Sequence, residues 1–140
     1  MIKKWTKNTN LKYKRKKDIE QLTFTIANWC MRNLPSKEKL PKLWVDWERQ
    51  HRCYGEYDYT DNKIIVYPLI HETVKDIIDT IIHEWIHFLQ DTEEIIESIE
   101  RYKYFKSANP KELEAINLAK KYTKECLRDI YKDGRIHFIP

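Results

Sequence analysis

Residues 72–90 read ETVKDIIDTIIHEWIHFLQ, and this stretch decides how the rest of the chain is understood. Val74, Ile77, Ile78, Ile81, Ile82, Trp85, Ile86 and Leu89 recur at steps of three and four, the period of an amphipathic helix. At about 100° per residue these apolar positions fill an arc of about 180°, centred opposite His83. Asp76, Thr80, His87 and Gln90 fall on the histidine side. A helix over about 72–90 would therefore bury its back and carry both histidines on one polar front.

Within that helix, His83-Glu84-Trp85-Ile86-His87 has the pattern H-E-x-x-H. Residues four apart lie one turn above each other, so both imidazoles can reach a single metal ion. Glu84 lies about 100° round the helix, where its carboxylate can reach a metal-bound water. Zinc lowers the pKa of such a water to about 7, and a glutamate beside it can take the proton as the water attacks a carbonyl.

The segments before and after the helix supply a framework. Ile19, Leu22, Phe24, Ile26, Trp29, Cys30 and Leu34 give residues 16–34 a helical pattern, ended by Pro35. Leu43, Val45 and Trp47 alternate with Trp44, Asp46 and Glu48, as in a strand. Cys53–Tyr59 and Ile64–Tyr67 are separated by the turn-forming Thr60-Asp61-Asn62-Lys63, so residues 53–67 read as a β-hairpin closed by Pro68. A three-stranded antiparallel meander is the simplest arrangement. Downstream, residues 91–100 suggest a short acidic helix. Asn109-Pro110 opens a longer one through about Lys132, stopped by Asp133-Gly134 and followed by an extended tail.

Composition narrows the functional classes. The 140 residues suit one domain with a real core, and 41% hydrophobic content with 13% aromatics excludes a disordered chain. Two glycines, Gly55 and Gly134, leave no phosphate-cradling loop or dinucleotide fingerprint. Cys30, Cys53 and Cys126 are odd in number and widely spaced, which points to reduced thiols and a cytoplasmic protein. There is no secretory h-region and no apolar run long enough to span a membrane. Net charge is +4, but residues 1–17 hold eight basic residues and no acid, leaving eighteen basic against twenty-two acidic beyond them. Residues 1–17 are therefore set apart as a basic arm from a single domain over 18–140. Trp5 and Tyr13 interleave with its charges, a pattern compatible with nucleic acid as well as with simple solvation.

Catalytic zinc takes three protein ligands and keeps a fourth position open. A metzincin would place a glycine at 90 and a histidine at 93, where this chain has Gln90 and Glu93. No histidine lies between His87 and His137, so an all-histidine site would need the tail. Glu112 and Glu114, on the helix after Pro110, are the carboxylates in line for the role, with Glu93 as a further alternative.

The H-E-x-x-H at 83–87, followed by a helix opening Asn109-Pro110-Lys111-Glu112-Leu113-Glu114-Ala115, resembles the small gluzincin-type zinc metallopeptidases. That group includes the minigluzincins and the SprT-like peptidases of phages and bacteria. The resemblance covers roughly residues 43–132 and lacks the third histidine of SprT-like proteins proper. It implies an α+β, zincin-like fold with an N-terminal helix, the meander, the motif helix and a C-terminal glutamate-bearing helix. It implies one Zn2+ held by His83, His87 and Glu114, the glutamate directly before the alanine, with Glu84 as general base. It also implies a protein or peptide substrate bound in extended form along the hairpin, at Ile64–Tyr67 or Cys53–Tyr59.

The expectation is thus a monomeric zinc endopeptidase that does not engage membranes. Tyr102, Tyr104 and His137 are its candidate donors to a developing oxyanion. The rival expectation is a nucleic-acid-associated protein whose zinc site is structural or inactive, contacting nucleic acid through residues 1–17. A third is a tail whose His137 covers the open zinc position.

Overall fold

The computed structural model describes residues 2–3, 5–48, 52–103, 106–132 and 135–138. Its elements run β1 (Ile2–Lys3), α1 (Lys16–Asn33), β2 (Lys42–Val45), β3 (Gly55–Asp58), β4 (Lys63–Val66), α2 (Val74–Leu89), α3 (Thr92–Tyr102), α4 (Pro110–Ile130), β5 (Tyr131–Lys132) and β6 (Arg135–His137). The class is α+β. No described helix is long and apolar enough to cross a membrane.

Helix α2 is the centre of the core. Thr73 caps it reciprocally: its hydroxyl accepts from Asp76 N at 3.4 Å and Asp76 Oδ2 accepts from Thr73 N at 2.9 Å. Val74, Ile77, Ile78, Ile81 and Ile82 are fully buried, each worth about 1.5–3 kcal/mol relative to exposure. They pack against α1 and α4 on one side and the sheet on the other. Tryptophans pin the layers together. Trp85 Nε1 donates to Leu34 O at the end of α1 (2.9 Å), Trp29 Nε1 to Asp129 Oδ2 of α4 (2.8 Å), and Trp47 Nε1 to Glu20 Oε1 of α1 (2.8 Å). Phe24 is half exposed, because the buried stripe of α1 runs through Leu22, Thr23 and Ile26 instead.

The expected hairpin is present, and the expected meander is not. β3 and β4 pair antiparallel around a turn in which Asn62 adopts φ 49° and Asp58 Oδ1 accepts from Thr60 N and Asp61 N. β2, however, pairs parallel with β4, giving the order β2-β4-β3. Residues 46–54, which join β2 to β3, are too many for a tight two-residue hairpin and so do not force those strands together. Ile64, Ile65 and Val66 are all buried, the mark of a central strand covered on both faces. β3 is consequently an edge strand on the side facing α2.

Both chain ends are also tied into the fold. The basic stretch is no free arm: Trp5 and Leu11 are buried, Leu11 N donates to Glu72 O, and Lys75 N donates to Lys7 O. β1 pairs with β6, which pairs with β5, so the tail closes a second small sheet instead of wandering. Trp5 packs edge-on to Phe138 at 5.7 Å and is unavailable for base stacking, which leaves Tyr13 as the exposed aromatic of that stretch.

Candidate metal centre

A cleft of about 810 Å³ lies between β3, α2, α3 and α4. Its floor is the polar front of α2, lined by Asp79, Thr80, His83, Glu84 and His87. The imidazoles of His83 and His87 lie one turn apart and meet edge to face, ring centres 4.9 Å from each other and planes at 77°. One coordinating atom from each of His83, Glu84 and His87 can be chosen so that all lie within 4.8 Å of one another.

The carboxylate brought to these histidines is that of Glu112. Its Oε1 lies 2.5 Å from His83 Nε2 and its Oε2 lies 3.2 Å from His87 Nε2. Glu114, the ligand implied by the resemblance, points elsewhere: its Oε1 accepts from Gln90 Nε2 at 2.9 Å, and the residue is exposed. The reason lies in the roll of α4. Ala115, Ala119, Thr123, Cys126 and Ile130 form the buried stripe, and Glu112, three residues before Ala115, continues it toward α2. Glu114 stands about 100° off that stripe. Glu93 is an exposed first-turn residue of α3 and does not line the cleft.

The electrostatics separate the three acids. Hydrogen bonds from His83 and then His87 hold the Glu112 carboxyl well below the usual range. Burial pushes the Glu84 carboxyl up to about 6, with His87 and His83 pulling back and the Glu112 charge adding to the rise. Burial also raises Asp79, one turn before His83 on the same face. For His87, burial lowers the pKa, but the hydrogen bond to Glu112, the Glu84 charge and the bond to Gln90 outweigh it, and the net shift is upward.

A divalent metal fits this donor set. Two imidazole Nε2 atoms and one carboxylate converge, the His₂Glu composition of catalytic zinc sites. Glu84 is 6% exposed, and its Oε2 is buried with no hydrogen-bond partner among the described residues, an acceptor that calls for a proton donor in the cleft.

Of the remaining expected donors, Tyr102 lines the cleft at the end of α3. Tyr104 lies outside the described residues. His137 sits in β6, beside the far end of α4 and roughly 27 Å along that helix from Glu112 at about 1.5 Å per residue, so it does not cover the centre.

Sequence reading passed over three contributors. Gln90 contacts His87, and only its place on the polar front hinted at this. His71 is buried, its Nδ1 donating to Tyr67 O at 2.9 Å and its Nε2 accepting from Thr80 at 2.7 Å, which holds Thr80 at the cleft wall. Gly55 is where β3 approaches α2. A Cβ there would stand 2.7 Å from Thr80 Cγ2, 2.8 Å from Ile65 O and 3.6 Å from Glu84 Cγ. Gly55→Ala is therefore expected to force β3 off α2 and to lower stability by about 1–3 kcal/mol, the usual cost of overpacking. Urea denaturation checks this, and an unchanged midpoint would show that β3 yields freely.

Comparison with protein-family models, with characterised proteins and with solved structures finds no match for this chain.

Proposed function

We propose that the chain is a metal-dependent peptidase whose centre is His83, Glu84, His87 and Glu112. The observation that carries this reading is the meeting of Glu112 with both Nε2 atoms beside a buried Glu84 whose Oε2 has no hydrogen-bond partner among the described residues, in a cleft walled by an edge strand. His83, His87 and Glu112 would hold the ion, and zinc is the metal that this donor set suits best. Bound there, zinc would polarise a substrate carbonyl and acidify a water.

The chain's own residues account for the rest. Glu84 receives a proton at Oε2, and burial keeps its carboxyl basic enough to hold that proton before passing it to the leaving amine. β3 pairs with β4 on one side only among the described residues, so an extended peptide can add along its free edge above the centre. β4 is paired on both sides, which removes Ile64–Tyr67 from consideration. Ile95, Ile99 and Ile116 line the cleft, and the exposure of Ile99 and Ile116, 46% and 37%, is accounted for by an apolar wall that meets substrate side chains. Tyr102, which lines the cleft, would donate to the oxyanion. The resulting activity is endoproteolysis of extended or unfolded segments, within a zincin-like fold.

The test is incubation of the purified chain with an unfolded protein and a library of extended peptides. Cleavage is expected that a chelator stops and added zinc restores. Cleavage indifferent to chelation, or none across the library, would remove the proposal.

A further inference from the structure

We infer that Gln90 and Glu114 are positioning residues that fix His87 with Nδ1 protonated and Nε2 turned toward Glu112. The inference rests on the reading of His83, His87 and Glu112 as a metal-holding set, and it deepens that reading by giving Glu114 a role other than ligation.

Gln90 terminates α2 one turn after His87. Its Oε1 lies 2.7 Å from His87 Nδ1, while its Nε2 lies 2.9 Å from Lys111 O and 2.9 Å from Glu114 Oε1. A backbone carbonyl only accepts, so the Gln90 atom facing Lys111 O must be the amide nitrogen. The other terminal atom, facing His87, is then the oxygen, and it can only accept. Nδ1 must therefore carry the hydrogen, whether the ring is neutral or charged. In the neutral ring this leaves the lone pair on Nε2, the atom directed at Glu112.

Three features make this a device for placing His87. Both hydrogens of the Gln90 amide are used, so flipping it would set oxygen against two oxygens and lose the bonds to Lys111 O and Glu114 Oε1. Glu114 supplies a carboxylate acceptor, which strengthens its bond relative to a neutral one. Lys111 and Glu114 lie on the first turns of α4, as does Glu112, so one helix positions both the carboxylate and the ring it meets. Partners that orient a metal-binding histidine in this way act on affinity without touching the metal.

The test uses the full chain stripped of metal, titrated with zinc against a competing chelator, together with NMR of the His87 ring protons. Gln90→Leu is expected to weaken zinc binding about 10–100-fold and to bring the protected Nδ1 proton into rapid exchange with water. Glu114→Ala is expected to move both readouts in the same direction by less. The double variant should be no weaker than Gln90→Leu alone, as for two members of one chain of bonds. A Gln90 that only tied α2 to α4 would change the unfolding midpoint and leave the Nδ1 proton protected. That result, with unaltered zinc affinity in Gln90→Leu, overturns the inference. So does a Glu114→Ala loss larger than that of Gln90→Leu and additive with it, which would make Glu114 a ligand. If the wild-type chain binds no zinc, the metal reading falls, and the Nδ1 exchange in the metal-free protein still decides the relay on its own.

Discussion

Glu84→Gln is expected to abolish proteolysis, with a rate loss of about 10²–10⁴-fold, the range associated with removing a general base. The amide keeps the size of the carboxylate, so the packing of Glu84 beside Gly55 and Thr80 survives. What disappears is the ability to accept a proton at a buried oxygen that has no other partner among the described residues. Zinc content should be unchanged, because the two imidazoles and Glu112 remain. The paired readout matters: activity lost together with metal would place Glu84 among the ligands, and activity retained would remove it as the base.

Glu112→Ala is expected to cost more zinc affinity than any change outside the ligand set, beyond the roughly 100-fold upper end for an outer partner. The carboxylate touches both Nε2 atoms, and its removal leaves two imidazoles alone to hold a divalent cation. Its hydrogen bonds with His83 and His87 also keep it ionised, in the form that a metal needs. Glu114→Ala, two residues on, should retain measurable binding, since its carboxylate reaches Gln90 and not the histidines. Competition titrations of the two variants side by side separate these roles. Equal losses would mean that the roll of α4 differs in solution.

How far the sequence could be read depended on whether a feature was local. Helix α2 and its two-faced character follow from one amphipathic run, and the hairpin follows from Thr60-Asp61-Asn62 between two β-rich stretches. The partner of β2 did not follow, because parallel pairing with β4 depends on a nine-residue connection whose path no local pattern encodes. The basic stretch misled for a related reason. Its eight charges dominate the composition, while Trp5 and Leu11, the residues that bury it, show no periodicity of their own. Between Glu112 and Glu114 the apolar pattern did not decide, because Leu113 and Ile116, the large apolar residues of the first turns, are exposed while the buried stripe of α4 runs through 115, 119, 123, 126 and 130 with the polar Thr123 in it. A motif resemblance pointed to the residue beside the alanine, and the roll of α4 in the fold brings the residue two positions earlier to the histidines.

The central claim is that α2 and α4 together build a metal centre. Native mass spectrometry of the zinc-titrated chain tests it most directly. One zinc per chain is predicted, retained through mild desalting and absent from His83→Ala. A chain that takes up no zinc, or whose bound zinc is indifferent to that substitution, would contradict the account.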